Sequence, residues 1–553
     1  MSLKEVGGHL VKGEVKEAIH DLNLPKPIEK TIERTIGLTG VVIISLSAML
    51  GSGIFVLPAF AAELVGPNMW LAYLLAATIV LTGAISKSEL SSAMPQSGGT
   101  YIYLERTFGA FVGTISGMGL YASFMLKSAF ALIGFAAYLH VVTDVLNMNV
   151  DGTMLAMTIL VGVVIINILG AKKVKAIQTP VVTVALIALL GLVAAVWLTG
   201  KADASVPIES FTFNMSTGQA TALVFVAYAG VTKIAAVAGE VKNPEKNLPG
   251  GMLISLAAAT ILYVIVTFTL GATMPEGWQQ GGHHGTIEDP MRAFAEHAFG
   301  STAGIIISII AIVTMASMSI AGVLAASRFL FAMSRDNLLP SMFENINARF
   351  ETPHWPILFT GLFMGIAILT VDVHAISELA SGFKIMIFMV INATVFILRN
   401  AGPRHSWYQP AYKSPLYPII QIYGIFGGAF LLFVIGQKAL IGAGAALVIG
   451  SIVYFTYGRS HVTSRVTPFD SFRKNFLNPT PEDHQRYYQV FHAADLVGSN
   501  HLNLREFKAA IRALGITCTS DECRSWFHQA DTSGDGYVDI DEFLAFVESN
   551  EDE

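Results

Sequence analysis

The chain has 553 residues, 53% of them hydrophobic and only 13% charged, with a mean hydropathy of +0.57. Soluble domains carry about 25% charged residues, so this balance excludes an ordinary soluble globular protein and indicates a polytopic membrane protein. The formal net charge of −6 comes from acids concentrated near the C-terminal end, and both cysteines, Cys518 and Cys523, lie in the polar tail, which excludes a disulfide framework in the membrane part.

Residues 1–35 mix lysines with Glu5, Glu14, Glu17 and Asp21 and lack an apolar centre, so neither a cleaved signal peptide nor a transit peptide is expected. Apolar runs of about spanning length follow at 36–65, 69–94, 108–140, 153–169, 180–199, 216–239, 251–273, 302–334, 357–371, 376–398, 416–436 and 438–457. They predict twelve transmembrane helices, the shortest run, 357–371, being expected to extend further. An even number puts both termini on one side. Lys12, Lys16, Lys26, Lys30 and Arg34 precede the first run, and Lys87, Arg106, Lys172, Lys173, Lys175, Lys242 and Lys246 fall at the second, fourth and sixth loops. Arg335, Arg349, Arg399, Arg404 and Lys413 continue the bias, whereas the odd-numbered loops carry little beyond Lys201, Arg292 and Lys438. The positive-inside rule places both termini in the cytoplasm. A plasma membrane is the expected location, with an organelle membrane as the alternative.

The first run contains Gly51-Ser52-Gly53-Ile54-Phe55, and a Gly-Ser-Gly triplet is a poor choice for the middle of a membrane helix. Two readings stand for the triplet alone. Small residues let two helices approach closely; alternatively, the helix breaks, and N–H groups at the start of its second half offer an anion site suited to a carboxylate. The sixth run repeats the oddity in Phe225-Val226-Ala227-Tyr228-Ala229-Gly230-Val231-Thr232-Lys233. Runs 1 and 6 hold corresponding places in two five-helix halves, and interrupted segments in matching positions point to a transporter's midplane site.

Gly51-Ser52-Gly53-Ile54-Phe55 with Pro58, Phe225-x-Ala227-Tyr228-x-Gly230, and Glu240-Val241-Lys242-Asn243-Pro244 with Leu248-Pro249 resemble motifs of the amino acid–polyamine–organocation transporters. Ser327-Arg328, Ala332-Met333 and Arg335-Asp336 with Leu339-Pro340 look like another signature of that family, and the resemblance spans about residues 36–457. It implies an all-α membrane fold of twelve helices, a five-plus-five inverted repeat with broken helices 1 and 6, and alternating access around them. Carried over to this sequence, the substrate carboxylate meets Ser52 and the backbone N–H groups of Ser52 and Gly53, next to Gly51. The substrate ammonium meets carbonyls near Met49, Val226 and Ala229, and Phe225 and Tyr228 are candidate aromatic gates.

Many relatives place a lysine in span 5, but Ala185 falls at about that place here. Lys127 lies instead near the middle of run 3, with Lys233 past the break in run 6 and Lys384 inside run 10. A mid-bilayer lysine costs about 2.5–3.5 kcal/mol on insertion scales, and Lys127 lies far from both ends of its run. It is the coupling candidate, weighed against a structural polar network. Ser317 and Ser319 are weaker candidates for a sodium site, and sodium is not expected. His283 and His284 lie in an outer, glycine-rich loop that reads better as solvated than as metal-binding.

After a basic linker at 458–479, residues 480–553 read as an EF-hand pair, with Thr480-Pro481-Glu482-Asp483 as a helix start. The loop from Asp531 to Glu542 offers calcium ligands at Asp531, Ser533, Asp535, Tyr537 through its carbonyl, Asp539 and Glu542, with Gly536 at the sharp turn. The loop from Asp495 to Glu506 is degraded: Val497 replaces a ligand and Asn500 replaces the glycine, so weak binding or none is expected there.

The leading reading is a secondary transporter of amino acids with a cytoplasmic calcium-binding module that regulates it or merely accompanies it. Its partners are an amino acid, membrane lipid and calcium. An amino-acid-sensing receptor without net transport and a polyamine transporter are the alternatives; the second would leave the Gly-Ser-Gly N–H groups without an anion. No nucleophile–base pair, phosphate loop or catalytic metal cluster stands out, so an enzyme is not expected. Neither nucleic-acid binding nor a disulfide-linked partner is expected.

Overall fold

The computed structural model describes residue 34 and residues 36–549 except 96–97, 146–150, 170, 281–287, 348–349, 351, 372, 402–407, 462–466, 478–481, 496–497 and 515–519. The N-terminal segment 1–33 therefore lies outside the described residues, as do His283, His284, Thr480, Pro481, Val497 and Cys518. The chain divides into two units: Glu33–Phe396 with Pro410–Thr467 forms one, and Pro468–Glu553 belongs to the other.

The first unit is helical throughout its described elements. The opening apolar run is split into α1 (Leu38–Met49), α2 (Ser52–Phe55) and α3 (Leu57–Val65). The break falls at Leu50, which is extended, and Gly51, whose φ of 157° L side chains rarely adopt. α4 (Met69–Ala93), the amphipathic α5 (Thr100–Phe108), α6 (Ala110–Val145), α7 (Gly152–Leu169) and α8 (Ala171–Leu198) follow. α9 (Met215–Val224) starts at an Asn214–Thr217 capping box and passes into a 3₁₀ segment, Phe225–Glu240. Runs of 3₁₀ longer than three or four residues are uncommon, and in mid-helix they often mark a hinge. Asn243, in the left-handed region at φ 43°, then turns the chain into α10 (Pro244–Thr273). The remainder comprises α11 (Pro290–Phe299), α12 (Ser301–Arg335), α13 (His354–Thr370), α14 (Val373–Asn400), α15 (Ile419–Val434) and α16 (Gln437–Val453).

Among the described residues nine helices are long and apolar enough to cross a membrane, and α1, α13 and α15 are shorter apolar helices. Phe426, Phe430 and Phe433 on α15 and Ile441, Val448 and Ile452 on α16 stand exposed, a surface suited to lipid rather than water. The molecule is a multi-span, all-α membrane protein with a separate polar tail.

Two sequence expectations need correction. The fifth helix begins at Ala171 and contains Pro180, rather than starting at 180, so Lys172, Lys173 and Lys175 are helical. Lys87, expected to flank the second loop from inside the run 69–94 and so to lie near the membrane surface, is buried within α4 at 1% exposed. The run of small residues around it (Ser86, Ser88, Ser91, Ser92) keeps the helix going past the strongly apolar part, so the charge falls within the packed body.

In the tail, α17 (Glu482–Ala494), α18 (Leu504–Ala513), α19 (Ser520–Ala530) and α20 (Ile540–Ser549) form two helix pairs. β1 (His501–Leu502) pairs antiparallel with β2 (Val538–Asp539) and links the two loops. Phe491, Phe507, Phe527, Phe543 and Phe546 fill the core, with the Phe507 ring 5.6 Å from Phe527 and 5.7 Å from Phe546. These apolar residues face one another because each helix carries them on a single stripe.

Candidate functional site

The α1–α2 interruption and the 3₁₀ segment lie against each other. Gly230 makes this possible: a Cβ there would stand 2.2 Å from the Ala48 carbonyl carbon. Gly53 repeats the device, since a Cβ would come 2.9 Å from the Cβ of Ala227. Met49, Gly51, Ser52, Gly53, Phe225, Val226, Tyr228 and Ala229 are all buried around this crossing.

Freed backbone groups in an apolar interior must find partners, and each unsatisfied one costs about 1–3 kcal/mol. Side chains from surrounding helices supply them. The Tyr73 hydroxyl donates to the Gly53 carbonyl at 2.7 Å and that of Tyr263 to the Met49 carbonyl at 2.8 Å. The Ser381 hydroxyl accepts the Val226 N–H at 3.2 Å and donates to the Leu223 carbonyl at 2.7 Å. Lys127, reaching in from α6 and 4% exposed, donates to the Ala48 carbonyl at 3.0 Å and the Ala227 carbonyl at 3.3 Å. One ammonium thus ties both irregular segments together. Ala185 is buried and carries no such group.

The expected gates are both engaged in packing. Phe225 meets Phe388 edge to face at 5.5 Å, while Tyr228 meets Tyr263 at 5.1 Å and donates its hydroxyl to the Tyr73 carbonyl at 3.0 Å. Met318 of α12 covers the triplet: its sulfur lies 3.8 Å from Ser52 Oγ and would be 2.1 Å from a Cβ on Gly51. At the other end of the second half-helix, Tyr138 donates to the Phe55 carbonyl at 2.6 Å and accepts the Met291 N–H at 3.1 Å. Ser319 donates to the Ser128 carbonyl at 3.3 Å, and Ser317 is buried nearby on the same helix.

Several of these residues escaped the sequence reading. Tyr73, Tyr138, Tyr263, Ser381 and Met318 are ordinary membrane-helix residues until their partners are known. Lys87, which donates to the Thr232 carbonyl of the 3₁₀ segment at 3.3 Å, was visible in the sequence only as a charge inside the run 69–94.

In the tail, the two loops share one hydrogen-bond skeleton. Asp531 accepts N–H groups from Gly534 at 2.8 Å and Gly536 at 3.0 Å, and Glu542 accepts from Ser533 at 2.8 Å and Asp539 at 3.0 Å. In the first loop, Asp495 accepts from Asn500 at 2.7 Å and Glu506 from Asn503 at 3.0 Å. Asn500 takes φ 59° where Gly536 has 84°, so asparagine fills the left-handed position expected of glycine. Burial alone would raise the Glu542 carboxyl. The donors from Asp539, Ser533 and Thr532 outweigh it and hold the group below the usual carboxylate range. Asp531, Ser533, Asp535, Asp539 and Glu542 offer only hard oxygen donors, the chemistry calcium takes. Among the described residues, however, no three acidic, histidine or cysteine side chains are gathered as for a bound metal.

An all-helical membrane body with two facing irregular segments, held by one buried cation, has the character of a small-solute transporter. Residues 36–460 match the amino acid permease family, and the chain belongs to that family. Residues 485–548 match the EF-hand domain pair. The chain is similar to the branched-chain amino acid permease BcaP of Bacillus subtilis (28% identical, covering 82% of this chain and 99% of the relative). It is also similar to the methylthioribose transporter of the same organism (27%; 78% and 95%) and to its serine/threonine exchanger SteT (29%; 72% and 91%). The protein is therefore a secondary-transport amino acid permease with an EF-hand module, and not an enzyme.

Proposed function

We propose that the protein moves neutral L-amino acids across a membrane by alternating access, binding them where the α1–α2 interruption meets the 3₁₀ segment. The observation that carries this reading is the backbone-to-backbone approach of Gly230 to Ala48, which sets two sets of irregular backbone groups around one point. The substrate carboxylate is held by Ser52 and the N–H groups of Ser52 and Gly53 beside Gly51; the ammonium is held by carbonyls of Met49, Val226 and Ala229. Phe225 and Tyr228 close over it. Met318, Val226 and Ala227 favour an apolar side chain, in keeping with the likeness to the branched-chain amino acid permease BcaP.

In this reading the chain has twelve spans over 36–457, arranged as a five-plus-five inverted repeat with helices 1 and 6 broken, and both termini in the cytoplasm. Residues 1–35 form the cytoplasmic lead, 458–479 the linker and 480–553 the EF-hand pair. Lys127 serves as the coupling cation, its ammonium doing between two irregular segments what a sodium ion does elsewhere. The loop Asp531–Glu542 binds one calcium ion through Asp531, Ser533, Asp535, the Tyr537 carbonyl, Asp539 and Glu542.

Reconstitution into liposomes tests the central reading. Labelled L-isoleucine is expected to accumulate inside and to exchange with unlabelled L-isoleucine. Stabilising binding without any transmembrane flux would show a receptor instead.

A further inference from the structure

Lysines approach the 3₁₀ segment from three other helices, and two of them converge on one residue. Lys384 of α14 donates to Thr232 Oγ1 at 3.0 Å, and Lys87 of α4 donates to the Thr232 carbonyl at 3.3 Å. Thr232 Oγ1 in turn donates to the Ala229 carbonyl at 3.3 Å. Lys384 is fully buried, with its ammonium 4.6 Å over the Phe124 ring and 5.5 Å over Phe388. The charged groups around it are all of one sign: Lys87 from α4, Lys127 from α6 and the half-buried Lys233 on the 3₁₀ segment itself. Among the described residues no carboxylate lies within ion-pair distance of Lys87, Lys127, Lys233 or Lys384.

We infer that Lys384, acting through Thr232, trades its proton against the substrate ammonium, so that substrate binding releases a proton. The inference rests on the reading that the Ala229 carbonyl receives the substrate ammonium. A charged lysine can only donate, so Thr232 Oγ1 accepts from it and turns its own proton to the Ala229 carbonyl. A neutral lysine has a lone pair. Thr232 then donates to that nitrogen, and the lone pair it occupied on Ala229 becomes available to the incoming ammonium. The proton lost by Lys384 goes to solvent, and no other bond changes. Repulsion between the incoming ammonium and the lysines acts in the same direction. Lys384 is a positioning residue: it touches Thr232, and Thr232 sets the carbonyl.

The test uses purified full-length protein with L-isoleucine as probe. Thermal stabilisation reports binding. Calorimetry in two buffers of different ionisation heat reports proton release. Wild type is expected to release up to one proton per L-isoleucine, its affinity weakening up to about tenfold per pH unit of acidification across the titration. Lys384→Met and the near-isosteric Thr232→Val are expected to bind with markedly less release and a flatter pH dependence, what remains coming from direct repulsion, and Thr232→Ser to restore both. Lys384→Arg, with a permanent charge, is expected to bind weakly at every pH, as acidified wild type does. Proton uptake on binding, or release undiminished in Lys384→Met and Thr232→Val, overturns the inference while leaving the substrate site intact. If neither L-isoleucine nor any other neutral L-amino acid stabilises the wild type, the substrate-site reading fails and takes this inference with it.

Discussion

Gly230 and Ala48 meet backbone to backbone: a methyl group on Gly230 would stand 2.2 Å from the Ala48 carbonyl carbon and 2.5 Å from the Met49 amide nitrogen. No rotamer change relieves such a contact, because every clashing atom belongs to the main chain. The two irregular segments must separate if position 230 acquires a side chain.

Gly230→Ala is therefore expected to disable the carrier out of proportion to its size. Overpacking costs about 1–3 kcal/mol in folded cores. Here the same displacement also pulls the Ala48 and Ala227 carbonyls apart, and Lys127 cannot then hold both. Melting temperature should fall by several degrees and uptake by at least about tenfold. Wild-type uptake in the variant would show that the close approach serves packing alone.

Gly53→Leu probes the anion side. A Cβ at Gly53 already meets Ala227 at 2.9 Å and the Tyr263 hydroxyl at 3.1 Å, and a leucine side chain would also fill the space beside the N–H groups. The expected outcome is loss of substrate-induced thermal stabilisation in a protein that still reaches the membrane. Unchanged affinity would remove Gly53 from the site.

Lys127→Ala should separate coupling from exchange. Without the ammonium, the Ala48 and Ala227 carbonyls lose their common partner, so accumulation driven by a pH gradient is expected to vanish. Counterflow exchange of labelled for unlabelled substrate is expected to persist, since it needs no net return of the empty carrier. A variant that still concentrates substrate with the wild-type pH profile would make Lys127 structural.

In the tail, the low-lying Glu542 carboxyl carries a signed pH dependence. Its ionised form accepts the Ser533 and Asp539 N–H groups. The stability this contributes is complete above the ordinary glutamate range and is lost as pH falls through the depressed folded-state value. Melting of the intact protein's tail, followed by its tryptophan Trp526, should show that acid loss. Glu542→Gln should weaken calcium binding at least about tenfold, leaving Asp531–Glu542 no longer the dominant site of the pair. Calcium titration of equal strength in wild type and variant would place the ion elsewhere.

How much of this could be read from the sequence depended on whether the determining contact was local. Gly51-Ser52-Gly53 announced its break because glycine and serine are wrong for the middle of an apolar helix, whatever surrounds them. The EF-hand pattern from Asp531 to Glu542 was equally plain, since its oxygen-bearing residues follow one another along the chain. Lys127 could be marked as costly but not located; only the fold shows it on the carbonyls of Ala48 and Ala227, 79 and 100 residues away. Tyr263, reaching Met49 across 214 residues, and Met318, reaching Ser52 across 266, had no local signature at all. Lys87 could be placed inside the run 69–94, but its burial and its contact with the Thr232 carbonyl, 145 residues away, had no local signature.

The most direct measurement is competition for labelled L-isoleucine uptake into liposomes by two truncated analogues, the amine lacking the carboxylate and the acid lacking the amino group. A site that holds the carboxylate at Ser52 and Gly53 and the ammonium at Met49, Val226 and Ala229 needs both charges at once. Neither analogue should compete at concentrations where unlabelled L-isoleucine abolishes uptake. Full competition by the amine alone would contradict the carboxylate site and return the protein to the carriers of organic cations.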